Sequence, residues 1–157
     1  MQKKYVIGLD YGTLSGRAVI VDCENGKVLA ASVKNYEHGV MSENVPTGAK
    51  ISGGDWALEA PEDYIDVLIT TVKDAVEKAK VSKRDIIGIG LDFTSCTILP
   101  VDEKNKPLCN SERFKNEPHA YVKLWKHHGA QPQTDKITRL LEKRGEINNC
   151  LLYTSPS

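Results

Sequence analysis

The start of the chain contains three short runs rich in Val, Ile, Leu and Ala, separated by connections short enough for hairpins. These runs span 4–10, 17–22 and 27–34. Asn25-Gly26 lies between the second and third runs, and this dipeptide favours a hairpin because both residues tolerate the positive φ of a type I′ turn. The chain is therefore predicted to open with three antiparallel strands, which requires a fold built on a sheet.

The next part of the chain predicts a helix and then a strand. Pro61 is placed to begin a helix over 61–80, with acidic residues in its first turn and one apolar stripe. The stripe comprises Tyr64, Ile65, Leu68, Ile69, Val72, Ala75, Val76 and Ala79. The run 86–93, IIGIGLDF, predicts a strand buried on both faces because it is almost unbroken in apolar residues.

Weaker patterns complete the predicted fold. The polar, Gly-rich stretch from Glu37 to Gly54 predicts a long surface loop. Residues 96–101 predict a further strand, followed by a hairpin turn over 102–107. Helices are predicted over 119–128 and 134–143, the second capped by Thr134 and closed by Gly145. The order β-β-β-α-β-β-α-α indicates a mixed α/β fold.

Length, charge and cysteine spacing limit what the chain can be. At 157 residues it is predicted to form one domain or part of a larger one. Lys and Arg together number 21, as do Asp and Glu, so charge gives no reason to propose nucleic acid or an anionic membrane as a partner. We expect a cytoplasmic protein, since the start lacks a secretory signal and no segment has the ~18 apolar residues that span a bilayer. The four cysteines form no C-x-x-C pair, which argues against a zinc site or a disulfide framework.

The connection between the first two strands, YGTLSG, consists largely of small and hydroxyl-bearing residues. Gly12 lets the backbone approach a ligand, and Gly16 allows a second sharp turn. Thr13 and Ser15 supply hydroxyl donors beside backbone amides, and amides arranged in this way form a concave anion site. The spacing matches neither the P-loop nor the dinucleotide-binding pattern, so those two explanations of a phosphate site are excluded.

Two charged residues flank this connection. Asp10, at the end of the first predicted strand, suits a hydrated Mg²⁺, which usually keeps several waters and shares phosphate oxygens. Arg17 would add positive charge to the same anion. The alternative is a tight hairpin in which Gly, Thr and Ser satisfy turn geometry and Asp10 caps an amide. Residue types alone leave both interpretations open.

A second polar stretch follows the predicted strand 86–93. In open α/β sheets ligands gather at strand ends, which places Asp92, Thr94 and Ser95 for a polar ligand. A turn held by Asp92, with no ligand, is the alternative. The two stretches together favour a polar ligand at one edge of the sheet.

These motifs resemble those of a known family. The segments GLDYGTLSGRA, WALEAPEDY and GIGLDFTSCT are similar to the FGGY carbohydrate kinases, a branch of the superfamily of sugar kinases, heat-shock protein 70 and actin. The segment NEPHAYVKLWKHH, residues 116–128, resembles the branch of the family that phosphorylates L-ribulose. The resemblance covers roughly 4–146. The first motif is shared across the superfamily and specifies ATP chemistry, whereas the last is much narrower.

The resemblance implies a ribonuclease H-like (actin-like ATPase) domain, incomplete here, with a mixed sheet flanked by helices. It implies ATP-dependent phosphorylation of L-ribulose at its terminal hydroxyl, in arabinose catabolism, in a cleft between two such domains. By position Asp10 would hold Mg²⁺ through water, and the residues meeting the nucleotide phosphates would be Gly12, Thr13 and Ser15, supported by Arg17. The residues bordering the sugar would be Thr94, Ser95 and Cys96, with Trp125 close by. From the residues alone, Trp125 is a core or packing residue, Lys123 and Lys126 are solvated rather than catalytic, and His127 and His128 suit a helix end better than a metal site.

The resemblance also implies that parts of a kinase lie elsewhere. The aspartate that accepts the hydroxyl proton and the adenosine pocket belong to sequence beyond residue 157, so the chain is expected to be the front of a kinase of about three times its length. Residues 1–146 are assigned to the first domain, and 147–157 depart from the family pattern as a truncated or out-of-frame end would. The resemblance leaves open whether the full-length protein forms a homo-oligomer. The rival interpretations are a chaperone-type or filament-type ATPase of the superfamily, a kinase for a different pentulose, and a binding module without nucleotide.

Overall fold

The computed structural model describes residues 3–146. The strands are β1 (Tyr5–Tyr11), β2 (Ser15–Asp22), β3 (Val28–Asn35), β4 (Leu58–Glu59), β5 (Ile86–Phe93) and β6 (Val122–Lys123). The helices are α1 (Pro61–Ala79) and α2 (Gln131–Arg144), and 3-10 turns lie at Lys83–Asp85, Leu108–Asn110 and Pro118–Ala120. Neither α1 nor α2 has the length and hydrophobicity needed to span a bilayer. The expected departure from the family over 147–157 falls outside the described residues.

The main sheet has the strand order β3-β2-β1-β5. The pairs β1–β2 and β2–β3 are antiparallel, and β5 runs parallel to β1. This confirms the predicted mixed sheet with three antiparallel opening strands. The turn between β2 and β3 differs from the predicted type I′ turn, because Gly26 has a φ of 70° whereas Asn25 is not in the left-handed region.

Helix α1 packs across β1, β2 and β3. It begins at Pro61, as predicted, and ends where Lys80 adopts the left-handed conformation with a φ of 54°. The predicted apolar stripe is partly wrong, because Ile65 and Ile69 are exposed while Val67 and Thr71 are buried. The buried face of α1 is therefore rotated relative to the predicted stripe and includes Val67, Thr71 and Ala75.

A second core lies beside the small sheet of β4 and β6. It includes Met41, Val45, Leu58 and Tyr121, all buried. Met41 pairs with Leu58 through both backbone hydrogen bonds, at 2.8 and 2.9 Å. The prediction of a surface loop over the stretch from Glu37 to Gly54 is therefore wrong in part: the stretch contains no regular helix or strand, yet its apolar residues Met41 and Val45 belong to this core.

Two local predictions between β5 and α2 are wrong. The segment 96–101 forms only isolated bridges, at Ile98 and Val101, and no helix spans 119–128. Instead Lys123 pairs through its backbone with Leu58 on one side and Ile98 on the other, so distant pairing overrides the local helical pattern. The turn over 102–107 and the helix closed by Gly145 are confirmed, although α2 starts at Gln131 rather than at a Thr134 cap.

Strand β5 lies at the edge of the main sheet and is largely bare. Its alternating residues Ile87, Ile89, Leu91 and Phe93 are 60–68% exposed. The prediction that β5 is buried on both faces is wrong. Helix α1 covers β1 to β3, and no element within residues 3–146 covers β5. The four side chains form a contiguous apolar row of the kind that drives association.

We expect the isolated chain to self-associate through this row. The double variant Ile89→Lys/Leu91→Lys should lower light scattering at equal concentration several-fold, because two charges interrupt the row at an open strand edge. Ile137→Lys is the control, since Ile137 is also exposed and apolar but lies on α2. An equal gain from the control would contradict the role of β5.

Candidate functional site

The predicted phosphate loop is a three-residue connection between β1 and β2. Gly12 N donates to Ser15 O at 2.9 Å, and Ser15 opens β2 opposite Asn35. The expected second turn at Gly16 is wrong: Gly16 lies within β2 opposite Tyr11 and has no positive φ. A Cβ at Gly16 would come within 2.3 Å of Val67 Cγ1, so glycine is needed here for the approach of α1.

Three charged residues form a row on the face of the sheet opposite α1. Asp10 is the register partner of Arg17 on β2 and of Asp92 on β5, so their side chains project from the same face. Arg17 Nε lies 3.0 Å from Asp10 Oδ2, and both groups are about half exposed. A depression of about 320 Å³ surrounds this row, and Gly8 and Gly90 line it. In the structure, therefore, Arg17 pairs with the carboxylate of Asp10, whereas the sequence suggested that it would face a bound ligand anion.

The loop after β5 folds against the end of β1. Thr94 N donates to Tyr11 O at 3.2 Å, and the hydroxyls of Thr94 and Thr97 are 3.1 Å apart. A cavity of about 250 Å³ lies between this loop and the β1–β2 connection, lined by Tyr11, Gly12, Tyr64, Phe93, Thr94, Thr97, Leu99 and Val122. Ser95 and Cys96 are exposed and do not line it, and Cys96 has a φ of 59°.

Trp125 joins the two predicted halves of the site. Its ring nitrogen Nε1 donates to Thr13 Oγ1 at 3.2 Å, across 112 positions of the sequence. The side chain is 55% exposed, so the interpretation of Trp125 as a core residue is wrong. A residue predicted near the sugar thus contacts one predicted at the phosphates.

The two histidines after Trp125 do not end a helix. His127 Nδ1 accepts a hydrogen bond from Ala57 N at 3.2 Å, and its ring lies edge-on to Trp56 at 4.9 Å. Burial lowers the pKa of His127, helped by the nearby Lys123 charge. His128 Nδ1 lies 3.2 Å from Asp55 Oδ2. Residues 3–146 contain no group of three or more His, Cys, Asp or Glu side chains arranged to hold a metal.

Sequence reasoning missed a buried acid beside the cavity. Glu59, on β4, is 2% exposed, and the Tyr64 hydroxyl donates a short hydrogen bond to it. Burial raises the pKa of Glu59 to about 7, although the Tyr64 hydrogen bond acts in the opposite direction. Among the described residues, Glu59 Oε1 and Tyr36 Oη are the buried side-chain polar atoms without a partner. The sequence feature that could have indicated this buried acid is the position of Glu59 within the apolar stretch WALEAP.

Comparison with known proteins identifies the sequence family. Residues 5–147 match the N-terminal domain of the FGGY family of carbohydrate kinases. The chain is 50% identical over 146 residues to a ribulokinase of Halalkalibacterium halodurans, covering 93% of this chain and 26% of that protein. It is 51% identical over 146 residues to a ribulokinase of Geobacillus thermodenitrificans, with the same coverage. The chain thus spans about a quarter of the length of these curated relatives.

A solved structure supports the fold. The gluconate kinase of Lactobacillus acidophilus matches with a TM-score of 0.64 at 21% identity, over 92% of this chain and 23% of that one. At this identity the likeness concerns the fold alone. It agrees with the expected actin-like ATPase fold, of which residues 3–146 form part.

Proposed function

The chain belongs to the FGGY family of carbohydrate kinases, and on that basis we propose that it forms the N-terminal part of an ATP-dependent kinase for L-ribulose. About 50% identity to two ribulokinases supports this substrate over another pentulose and over a chaperone or filament ATPase. The structural observation that carries the proposal is the hydrogen bond between Thr13 and Trp125. It joins the predicted phosphate loop to Trp125, which is predicted to lie near the sugar, and phosphoryl transfer requires the two substrates to be held close together.

The residues of the β1–β2 connection would bind the nucleotide phosphates. Gly12 lines the cavity, and Thr13 and Ser15 in the same short segment would offer their hydroxyls to the phosphates. When nucleotide binds, Arg17 would leave its ion pair with Asp10 and pair with the phosphates instead. Thr94 lines the cavity and would contact the sugar together with Trp125, while Ser95 and Cys96 would form the outer border.

Asp10 is the proposed anchor for Mg²⁺. Its carboxylate is half exposed, and Asp92 is its neighbour in the row. One or two accessible carboxylates fit a hydrated Mg²⁺ that shares phosphate oxygens, whereas an all-protein cage would need more ligands than residues 3–146 bring together. When bound, Mg²⁺ neutralises charge on the phosphates.

The rest of the proposed kinase would complete the reaction. We propose that residues 1–146 belong to the first domain. We also propose that the aspartate carboxylate acting as general base, which accepts the proton of the L-ribulose terminal hydroxyl, lies in sequence that follows in the relatives. The hydroxyl oxygen would then form a bond to the γ-phosphorus as the bond to ADP breaks. We further propose a cytoplasmic location, where ATP is supplied.

A chimera tests the proposed function. Residues 1–146 replace the matching segment of the H. halodurans ribulokinase, and ADP release is measured with L-ribulose, D-xylulose and D-gluconate. We expect turnover that is highest with L-ribulose. A folded chimera that binds ATP but turns over no sugar, or prefers another one, would overturn the proposal.

The isolated chain should show no turnover under the same conditions, because it supplies positioning without the proton acceptor. ADP release by the isolated chain that depends on L-ribulose would place the base within these 157 residues. The active chimera serves as the positive control for the assay.

A further inference from the structure

Glu59 is buried next to the cavity but is not used by the proposed mechanism. It pairs with Val122 across the small sheet, and Val122 and Tyr64 both line the cavity. One carboxyl oxygen accepts the Tyr64 hydroxyl, and the other, Oε1, has no partner. A buried charge with an unpaired oxygen is unfavourable, so the geometry itself favours the neutral acid.

The groups facing Glu59 determine when it ionises. Burial is the largest influence and raises its pKa to about 7; the Tyr64 hydrogen bond and Lys126 lower it, and Asp63 raises it. The fourth neighbour is Tyr36, whose pKa is raised by burial and then by the charge of Glu59. Asp63 is itself bonded to His38, at 2.8 Å. Glu59 is therefore neutral below pH 7 and becomes charged above it.

Tyr64 connects Glu59 to both walls of the site. Its ring contacts Tyr11 and Tyr36 edge-on, with centroids 5.8 and 5.4 Å apart. Tyr11 O accepts Thr94 N from the loop after β5, at 3.2 Å. Tyr36 N donates to Leu14 O in the β1–β2 connection, at 3.0 Å. Displacement of the Tyr64 ring would therefore disturb both segments that enclose the cavity.

We propose that Glu59, as the neutral acid, is a positioning residue that holds Tyr64 in place and thereby fixes the separation of the β1–β2 connection and the loop after β5. The inference rests on the proposed function, because that function assigns the two loops their ligands. Ionisation of Glu59 strengthens the bond from Tyr64 but leaves Oε1 buried, charged and without a partner. That cost favours a shift of the Glu59–Tyr64 pair toward water, which moves the Tyr64 ring. Sugar affinity then falls as the pH rises through 7.

The test uses the chimera after its activity with L-ribulose has been established, so that an inactive parent would count against the proposed function alone. In the parent, KM for L-ribulose should rise about tenfold between pH 6 and pH 8.5, with a smaller change in kcat. Glu59→Gln cannot ionise and should give a KM within about threefold of the parent at pH 6 and independent of pH. Tyr64→Phe removes a bond that favours the charged form, so its inflection should move to higher pH.

Tyr121→Phe is the matched control, since Tyr121 is also buried and donates its hydroxyl, to Lys115 O at 2.8 Å, but lies outside this cluster. It should leave the pH profile of KM unchanged. Glu59→Ala should raise KM at every pH. If this variant fails to fold, the Glu59→Gln and Tyr64→Phe variants provide the test. A Glu59→Gln enzyme that keeps the parental pH dependence of KM would overturn the inference.

Discussion

Replacing Asp10 with asparagine is expected to lower kcat/KM of the chimera for L-ribulose about a thousandfold, equivalent to about 4 kcal/mol of transition-state stabilisation. The amide keeps the size of the side chain but removes the charge that would attract hydrated Mg²⁺. It also releases Arg17, whose guanidinium lies 3.0 Å from the carboxylate. Because Mg²⁺ affinity should fall with the charge, the Mg²⁺ concentration giving half-maximal rate should rise in parallel.

Two variants separate this role from a general effect of charge. Asp66→Asn removes a carboxylate that pairs with Lys34 on the surface of α1 and should leave the rate and the Mg²⁺ dependence unchanged. Asp92→Asn alters the register neighbour of Asp10 and should cost less than Asp10→Asn, since no arginine within residues 3–146 pairs with Asp92. An Asp10→Asn enzyme within tenfold of the parent, with unchanged Mg²⁺ dependence, would contradict the assignment.

The parts of the fold that were predictable from sequence are those governed by local signals. The three opening strands and the hairpin between β2 and β3 follow from short apolar runs and Asn25-Gly26, and α1 begins at Pro61 as its position suggests. The segment around Lys123 was mispredicted as helix, because its extended form depends on pairing with Leu58 and Ile98. No local pattern encodes such distant partners.

The candidate site shows the same division. Asp10 and the small residues after it could be selected from sequence, because a strand end followed by glycine and hydroxyls has a chemical meaning on its own. The bond between Thr13 and Trp125 links positions 112 apart and appears only in the folded chain. Glu59 escaped notice because the sequence cannot tell whether a glutamate in an apolar stretch is buried or exposed.

Replacing Gly16 with alanine is expected to destabilise the chain by about 2–3 kcal/mol, a decrease of roughly 5–10 °C in Tm. The new methyl group would lie 2.3 Å from Val67 Cγ1, and Val67 is buried where α1 meets the sheet. The helix must shift or Val67 must leave its rotamer, and either movement disturbs the core below the phosphate loop. Thermal unfolding followed by circular dichroism, at low micromolar concentration, measures the change.

The double variant Gly16→Ala/Val67→Ala tests whether this contact is the cause. Val67→Ala alone should cost about 2 kcal/mol through lost burial and a cavity. If the two side chains compete for one space, the double variant should be at least 1 kcal/mol more stable than the sum of the single effects predicts. Gly26→Ala provides the comparison, because Gly26 has a φ of 70° and open space around it, so alanine there should cost about 1 kcal/mol from backbone strain alone. Val67→Ala should not relieve the loss from Gly26→Ala, since Gly26 and Val67 do not touch. If the losses from Gly16→Ala and Val67→Ala simply add, the close approach of α1 is not what requires glycine in β2.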